Sequence, residues 1–413
     1  MVINAGDTAW VLASGALVLF MTPGLAIFYG GMVRAKSTLN MMMMSFAAMG
    51  ITTILWTLYA YSLSFGKDSG GGFLGNFSHI GLAGTIDSIV GAPGHEIPTL
   101  AFVMFQMTFA IITVALLSGA IADRAKFSAW IIFVIAWITI VYSPVAHWAF
   151  ASDGWINQKI HALDFAGGTV VEINSGAAAL ALALVLGKRE GFKRDRMRPH
   201  NMPLVLLGAG MLWFGWFGFN AGSALAANHT AALAMINTQI ATAAAVMSWV
   251  TYEKLREGKA TTLGAASGAI AGAVGITPAC GFVTPLGALA IGLIAGAVSA
   301  FGVSLKYKFN YDDSLDVVGV HGLSGLVGML SIGFIATLNA NEAGADGLFI
   351  SGSPSLLGKQ LIASLAVLAY SFIATWIIAT VIQRTIGFRV HRDVEIEGVD
   401  TSIHAESAYE FGR

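Results

Sequence analysis

Long apolar runs with few charges dominate this chain, and they limit the folds that are open to it. Eleven runs are long enough to cross the hydrocarbon core of a bilayer, which takes roughly 17 to 25 helical residues. They cover about 8–32, 40–66, 98–122, 128–147, 167–187, 203–223, 232–253, 261–280, 284–305, 317–339 and 359–385. The sequence therefore predicts an all-α integral membrane protein with eleven transmembrane helices.

Composition supports this class and argues against several others. Of 413 residues, 56% are hydrophobic and only 11% are charged, so a water-soluble fold would expose large apolar patches. The net charge of -1 gives no sign of nucleic-acid binding, and a single cysteine excludes a disulfide framework or a multi-cysteine metal cluster. The sequence has no nucleotide-binding loop, zinc-ligand spacing or nucleophile motif. We therefore expect neither an enzyme nor a bound cofactor or metal.

The basic residues predict the orientation of the helices, because Lys and Arg are enriched in cytoplasmic loops. The densest cluster, KREGFKRDRMR at 188–198, follows the fifth run, and other basic residues follow the first, third, seventh, ninth and eleventh runs. Only Lys67, Lys159 and Lys359 fall on the opposite side. We expect a multi-pass protein of the cell (inner) membrane with its N-terminus outside and its C-terminus in the cytoplasm. The first residues carry no basic segment, so no cleaved signal peptide is expected.

An internal repeat relates two parts of the chain. VEINSGAAAL at 171–180 aligns with VHGLSGLVGM at 320–329, which pairs Glu172 with His321. Runs one to five and six to ten form two sets of five, and an odd-numbered set repeated in tandem must enter the membrane with opposite polarity. This pattern predicts an inverted five-plus-five repeat with an extra C-terminal helix and a substrate path between the halves.

The predicted domain organisation follows from the same pattern. We expect a membrane domain at 1–386, with repeat halves at about 8–187 and 203–339 and the eleventh helix at about 359–385, and a charged cytoplasmic tail at 387–413.

Few ionisable residues fall inside the runs, and each of them needs a partner or a cavity. As repeat partners, Glu172 and His321 are candidates for a shared site that holds a proton and passes it on. The structural alternative is a protonated Glu172 bonded to a backbone carbonyl and a neutral His321 in a helix contact. Asp164, at the outer start of the fifth run, either caps the helix or attracts a cation.

Aromatic residues gather on the predicted outer side. They are Phe105, Phe109, Trp148, Phe150, Trp155, Trp216 and Phe219. Such rings form either an interfacial belt or a vestibule whose ring faces attract a small cation. Ser223, one turn after Phe219, would add a hydroxyl acceptor to a vestibule.

Several of these segments resemble one known family. They are TPGLAIFYGGMVR (22–34), FQMTFA (105–110), SPVAHW (143–148), DFAGGTVV (164–171), WFGFNAGSA (216–224), DSLDVVGVHGLSG (313–325) and GVDTSIHAESAYEF (398–411). Together they resemble the ammonium transporter (Amt/Mep/Rh) family over nearly the whole chain. The resemblance implies ammonium as substrate, a homotrimer with one pore per subunit, and a tail that contacts PII-type signal proteins.

Site residues are implied by position in the family motifs. Phe109 and Phe219 resemble the stacked gate rings, Asp164 the entrance carboxylate, Trp216 and Ser223 vestibule residues, and His321 the second member of the family's pore histidine pair.

The chain departs from the family pattern at two points. Glu172 stands where most members have the first pore histidine, as in some fungal and bacterial members. Phe150 stands three residues after His147, where the vestibule tryptophan is expected, and Trp148 lies two residues earlier. Whether Trp148 or Phe150 serves the vestibule stays open.

The resemblance and the repeat together predict electrogenic ammonium transport. Ammonium would lose its proton at the outer vestibule, ammonia would cross a hydrophobic pore, and Glu172 with His321 would relay the proton. Two alternatives are an ammonium sensor that signals through the C-terminal tail and an electroneutral gas channel for ammonia.

Overall fold

The computed structural model describes residues 3–195 and 197–409, and this part of the chain is mostly helical. The long apolar helices are α1 Ala5–Met32, α2 Ala35–Phe65, α3 Thr99–Ile121, α4 Phe127–Phe150, α5 Gly168–Leu186, α6 Met202–Gly222, α7 His229–Glu257, α8 Thr262–Ile276, α9 Pro285–Phe309, α10 Val318–Ile335 and α11 Ser355–Thr385. A short hairpin of β1 Ile89–Val90 and β2 Ile97–Pro98 precedes α3, one helical turn at Leu348–Ser351 precedes α11, and α12 Arg392–Glu397 lies in the tail. Arg196 of the basic cluster and residues 410–413 of the predicted tail lie outside the described residues.

Each of the eleven apolar runs coincides with one of these helices. Within the described residues, all of them except α8 are long and apolar enough to span a bilayer. The prediction of an all-α, multi-pass membrane protein is therefore confirmed. Helix α8 has only 15 residues and rises about 22 Å, against a hydrocarbon core of roughly 30 Å. The count of eleven spans stays a prediction for this reason.

The ends of α8 lie at opposite faces of the helical bundle. The loop after α8 meets the loop before α5, where the Phe165 amide donates to the Pro278 carbonyl at 3.0 Å. It also meets the segment after α10, where the Thr337 amide donates to the Phe282 carbonyl at 2.9 Å. The end of α7, just before α8, instead lines a cavity beside Lys306 at the other face. The short helix therefore still connects one face to the other.

Small residues allow the helices to approach each other closely. The most extensive helix contact in the described structure joins α1 and α6, the first helices of the two predicted repeats. A Cβ atom at Gly208 of α6 would lie 2.4 Å from the backbone nitrogen of Phe28 in α1. Only glycine fits at such a contact, which explains part of the glycine content of the chain.

Helices α5 and α10 share an unusual local structure. Each begins with a wide π-helical segment, Gly168–Ile173 in α5 and Val318–Leu323 in α10, and continues as a regular α-helix. Glu172 is the fifth residue of the first segment and His321 the fourth residue of the second, so their places differ by one residue. π-helical segments also occur in α2 and α4, but those of α5 and α10 lie at nearly aligned positions of the repeat and contain its two ionisable residues.

Two glycines make reciprocal contacts where α5 and α10 cross. A Cβ atom at Gly176 would lie 2.2 Å from the Cα of Gly322, and one at Gly325 would lie 2.8 Å from the Cβ of Glu172. The alignment pairs Gly176 with Gly325 and Gly322 with Ile173, whose backbone nitrogen would lie 3.2 Å from the same Cβ at Gly325. The two helices therefore exchange equivalent contacts, as a two-fold relation between inverted halves requires.

A buried ion network joins the loops at the predicted cytoplasmic face. Arg189 contacts Asp312 through two nitrogens, each at 2.9 Å, and reaches Asp123 at 3.3 Å. Arg34 pairs with the same Asp123 at 3.2 Å. Burial alone would raise the pKa of Asp312, but the hydrogen bonds and charge of Arg189 lower it to about 2. The network holds together the loops after α1, α3, α5 and α9.

The tail packs against this same face. Asp400 accepts hydrogen bonds from the backbone amides of Leu39 and Asn40 in α2, at 2.9 and 2.8 Å. Glu395 in α12 accepts one from the Glu190 amide at 2.6 Å and pairs with Arg389 at 2.8 Å. The described part of the tail is therefore held against the helices by hydrogen bonds and an ion pair. The domain boundary at residue 386 stays a prediction.

Candidate functional site

Two phenylalanine rings meet at the centre of the helical bundle. Phe109 of α3 and Phe219 of α6 stack with their ring centroids 4.1 Å apart and their planes at 25°. Both side chains are almost fully buried. Phe105, one turn before Phe109, lies behind this pair, with its ring 4.9 Å from that of Phe109. The stacked pair therefore forms a constriction that Phe105 of α3 packs against.

A narrow, mainly apolar cavity adjoins the stacked rings. Side chains of α1, α3, α6 and α8 line most of it, and Glu172 and His321 are its two ionisable lining residues. Phe219 and Trp216 of α6 lie in the same wall. A small neutral molecule would meet mostly hydrocarbon here, whereas a cation would lose its water with little replacement.

Glu172 and His321 form a direct hydrogen bond. His321 Nδ1 lies 2.7 Å from Glu172 Oε2, and both side chains are buried. The sequence alignment alone brought these two residues to one site, and the structure places them in contact. The second carboxylate oxygen, Glu172 Oε1, has no hydrogen-bond partner among the described residues. The hydrogen bond therefore places one proton between His321 Nδ1 and Glu172 Oε2, and Glu172 Oε1 stays available as an acceptor.

Asp164 caps the start of α5. Its Oδ1 accepts from the Gly167 and Gly168 amides at 2.9 and 2.6 Å, and its Oδ2 accepts from both the amide and the hydroxyl of Thr169. These donors are the free amides at a helix start. Both carboxylate oxygens are therefore engaged with the chain itself, so an influence on a cation would act through the negative charge.

Phe150 and Trp148 take different positions. The Phe150 ring makes an edge contact with the gate ring Phe109 at 6.3 Å. The Trp148 ring packs against Tyr370 at 4.7 Å, and its Nε1 donates to the Phe73 carbonyl at 2.8 Å. Residues two apart on a helix point to nearly opposite sides, which explains the difference. The structure brings Phe150 to the gate and places Trp148 in a separate aromatic cluster.

Trp216 and Ser223 lie on either side of Phe219 in sequence. The Trp216 ring is 5.7 Å from that of Phe219, and its Nε1 donates to Thr277 at 2.9 Å. Ser223 is half-buried, and its hydroxyl donates to the Phe219 carbonyl at 2.8 Å. The Ser223 oxygen keeps its lone pairs and can still accept a hydrogen bond.

Asp313 is a candidate that our sequence interpretation missed. It precedes His321 by the same interval that separates Asp164 from Glu172, and its Oδ2 accepts from the Val318 amide at 2.7 Å at the start of α10. Burial and the nearby Asp316 raise the pKa of this carboxyl. Extending the repeat alignment by seven residues towards the N-terminus would have revealed it. Each half therefore places a capping carboxylate at the start of its π-helical segment.

Known proteins share both the sequence and this architecture. The profile of the Ammonium Transporter Family matches residues 9–409. The ammonium transporter of Mycobacterium tuberculosis is 52% identical over 434 residues, which cover 99% of this chain and 91% of that protein. The chain belongs to the ammonium transporter family. Members of the family are transporters rather than enzymes. As a member, this chain is a multi-pass membrane protein with ammonium as its substrate.

Solved structures agree with this assignment. The crystal structure of Candida albicans Mep2 has a TM-score of 0.87 and 34% identity, covering 95% of this transporter and 87% of that chain. A structure described as a sensor Amt protein also has a TM-score of 0.87, with 27% identity over 96% of this transporter and 98% of that chain. The predicted family resemblance is confirmed, whereas the replacement of a pore histidine by Glu172 stays a prediction.

Proposed function

We propose that this transporter moves ammonium electrogenically, with a net positive charge crossing the membrane for each ammonium. The observation that carries the proposal is the hydrogen-bonded pair of Glu172 and His321 in an apolar cavity next to the stacked rings. A pore for a neutral gas alone would have no use for a buried proton-holding pair. Buried ionisable groups inside a membrane are expensive and mark ion or proton pathways.

Selectivity is set at the rings of Phe109 and Phe219. A stacked pair at 4.1 Å leaves no room for a hydrated sodium or potassium ion. These ions would have to shed water without replacement ligands. Ammonium differs because it can leave its proton behind and pass as small, neutral ammonia.

The proton follows a separate path from the nitrogen. Ammonium releases its proton on the outer side of the gate, and ammonia enters the cavity. Glu172 and His321 hold one proton between Oε2 and Nδ1, and the unpartnered Oε1 is positioned to accept the next. The pair then releases a proton towards the cytoplasm, where ammonium forms again. Nitrogen, hydrogen and charge balance, since one ammonium enters and one leaves.

The outer vestibule attracts the cation before this step. Phe150 contributes an aromatic ring in edge contact with Phe109, and Ser223 contributes a hydroxyl oxygen. Asp164 contributes negative charge, while its oxygens stay engaged with the start of α5. Phenylalanine binds cations more weakly than tryptophan, so we expect modest affinity at this vestibule.

Assembly and placement follow the family. We assign the chain to a homotrimer in the cell (inner) membrane, with the N-terminus outside and the tail in the cytoplasm. The ion network and the fastened tail form a defined surface on the side assigned to the cytoplasm. A PII-type signal protein would bind at this surface.

A sensor role is the second candidate function. It is favoured by the similarity to the sensor Amt protein over nearly the whole length of both chains. Signalling would then depend on movement of residues 387–409 when ammonium occupies the pore. Ammonium that changes the tail's protection from protease without producing any transport would favour this role.

The test is the current evoked by an ammonium pulse in proteoliposomes that contain the purified protein. We expect ammonium to produce a current, and sodium and potassium to produce none. In the Glu172→Gln variant, which keeps the size but carries no titratable proton, we expect the current to fall at least about tenfold. Ammonia flux without current would support an electroneutral channel instead. An undiminished current in Glu172→Gln with the same pH response would remove the relay role.

A further inference from the structure

A chain of buried polar side chains lies behind the gate ring Phe219. Trp216 Nε1 donates to Thr277 Oγ1 at 2.9 Å, and Thr277 Oγ1 lies 3.2 Å from Asn220 Oδ1. Asn220 Nδ2 in turn donates to Thr238 Oγ1 at 2.9 Å. The chain crosses from α6 to the segment after α8 and on to α7. It therefore connects α6, α7 and the segment after α8 beside the gate ring.

Thr277 holds α6 at two points of one turn. Trp216 and Asn220 are four residues apart, so they lie on the same face of the helix, and both contact the Thr277 hydroxyl. Phe219 immediately precedes Asn220, and its ring also contacts that of Trp216 at 5.7 Å. The turn of α6 that carries the gate ring is therefore fixed from behind by one side chain.

The hydroxyl of Thr277 acts both as an acceptor and as a donor. Its oxygen accepts the indole N–H of Trp216, and its single hydrogen serves either Asn220 Oδ1 or the Ala273 carbonyl at 2.8 Å. Thr277 and Asn220 are fully buried. Loss of the hydroxyl would take away the hydrogen-bond acceptor of a buried indole N–H, which is unfavourable.

The position of Thr277 in the chain also connects the gate with α5. The next residue, Pro278, accepts a hydrogen bond from the Phe165 amide at 3.0 Å. Its ring fills the space beside Gly168, where an added Cβ would lie 2.5 Å from it. Gly168 begins the π-helical segment that contains Glu172. One short segment thus contacts both the gate turn of α6 and the start of α5.

We infer that Thr277 is a positioning residue for the gate, which holds Trp216 and Phe219 in the arrangement that selects ammonium. The inference rests on the proposed function, because it takes the pore beside Phe109 and Phe219 as the ammonium path. Thr277 acts through these rings and does not itself touch the substrate.

The test compares Thr277→Val with Thr277→Ser in proteoliposomes. Valine has the shape of threonine without its hydroxyl, whereas serine keeps the hydroxyl. We expect Thr277→Val to raise the half-saturating ammonium concentration about tenfold, comparable to the loss of one buried hydrogen bond, and to lower the ratio of ammonium to potassium current. Thr277→Ser should stay close to the wild type in both quantities.

Thr242→Val is the matched control. Thr242 is fully buried on α7, one turn from Thr238, and its hydroxyl has no hydrogen-bond partner among the described residues. The same chemical change should therefore leave affinity and selectivity unchanged. Wild-type affinity and selectivity in Thr277→Val would overturn the inference. Equal impairment in Thr277→Ser, or a smaller current with unchanged selectivity, would also overturn it.

A second readout does not depend on transport. The hydrogen exchange of the Trp216 indole N–H, assigned with Trp216→Phe, should be slow in the wild type and Thr277→Ser and fast in Thr277→Val. If the wild type gives no ammonium current, the proposed function fails. The exchange measurement still tests whether the Thr277 hydroxyl holds the Trp216 indole N–H. Equal exchange in all three proteins would contradict it. If Thr277→Val does not fold, the smaller Thr277→Ala serves for both measurements.

Discussion

Glu172 is understandable as an acid in an apolar run because its partner comes from the other half of the protein. A lone carboxylate at this depth would be strongly unfavourable, but His321 Nδ1 lies 2.7 Å away. The π-helical turn around each residue aims both side chains into the same narrow cavity. The pair holds a proton in either of two arrangements, with Glu172 protonated or with His321 carrying the hydrogen. The proposed relay requires that both arrangements be accessible.

Phe150 provides a direct prediction about the vestibule. Replacing it with tryptophan should strengthen cation binding, because the indole ring attracts cations best among the aromatic side chains, in an interaction of about 0.5–1 kcal/mol at exposed sites. We expect Phe150→Trp to lower the half-saturating ammonium concentration about two- to fivefold, measured from the concentration dependence of the current. Trp148→Phe should leave it unchanged, because Trp148 packs against Tyr370 away from the gate. A shift in Trp148→Phe without one in Phe150→Trp would reverse the assignment.

The sequence was sufficient to predict that Glu172 and His321 share a site. It was not sufficient to predict the polar side chains that position the gate rings. Glu172 and His321 stand out because ionisable residues are rare in apolar runs, and a ten-residue alignment joined them. Nothing similar marks Thr277 or Asn220, since polar uncharged residues are frequent in such runs and their contacts join distant segments. The choice between Trp148 and Phe150 also required the orientation of α4. These features depend on which face of each helix meets which neighbour.

The crossing of α5 and α10 decides how closely Glu172 approaches His321. Gly176 and Gly325 make the reciprocal close contacts at this crossing, and an added methyl group at either would push the helices apart. The sequence predicted both helices within a few residues, because apolar length is a strong signal. It predicted that the eighth run continues to about residue 280, whereas α8 ends at Ile276. Thr277 then contacts Trp216 beside the gate, and Pro278 contacts the loop before α5.

Gly176→Ala should therefore destabilise the protein. The new Cβ would lie 2.2 Å from the Cα of Gly322. This clash is with backbone, so it can be relieved only if one of the two helices moves. We expect a loss of roughly 1–3 kcal/mol, seen as a lower unfolding temperature in detergent, together with a reduced ammonium current. Gly50→Ala in α2 is the control, because nothing lies within 4 Å of its added Cβ. An unchanged unfolding temperature in Gly176→Ala would contradict the close crossing.

The whole molecule has two differently built ends. The predicted outer end gathers aromatic rings around the gate, whereas the predicted cytoplasmic end gathers ion pairs and the tail. Arg189 joins Asp123 and Asp312 there, and Asp400 fastens the tail to α2. The charge bias of the loops was visible in the sequence, but the specific ion pairs were not, because they join loops that are far apart in the chain, by 66 residues for Arg189 and Asp123 and by 123 for Arg189 and Asp312.

Asp312 should make stability depend on acid pH. Its folded-state pKa of about 2 lies below the usual value of roughly 4. The stabilisation is therefore fully present above about pH 4 and is lost as the pH falls towards about 2. We expect about 2 kcal/mol from this group, so Asp312→Asn should lower the unfolding temperature at neutral pH and flatten its acid dependence. Asp195→Asn, in an exposed pair with Arg194, should do neither.

Asp400 should hold the tail in place. Asp400→Ala leaves the amides of Leu39 and Asn40 without their acceptor, so we expect faster protease cleavage within residues 387–409. Asp393→Ala, at an exposed position of α12, should leave cleavage unchanged. Equal cleavage rates in the two variants would show that other contacts fasten the tail.

The most direct test of electrogenic ammonium transport is the ratio of charge moved to ammonium taken up in the same proteoliposomes, with the membrane voltage clamped. Our account predicts a single positive charge for each ammonium, since the nitrogen and the proton cross by separate paths within one protein. Uptake that moves no charge would contradict it. Glu172 and His321 would then be a structural pair beside a channel for neutral ammonia.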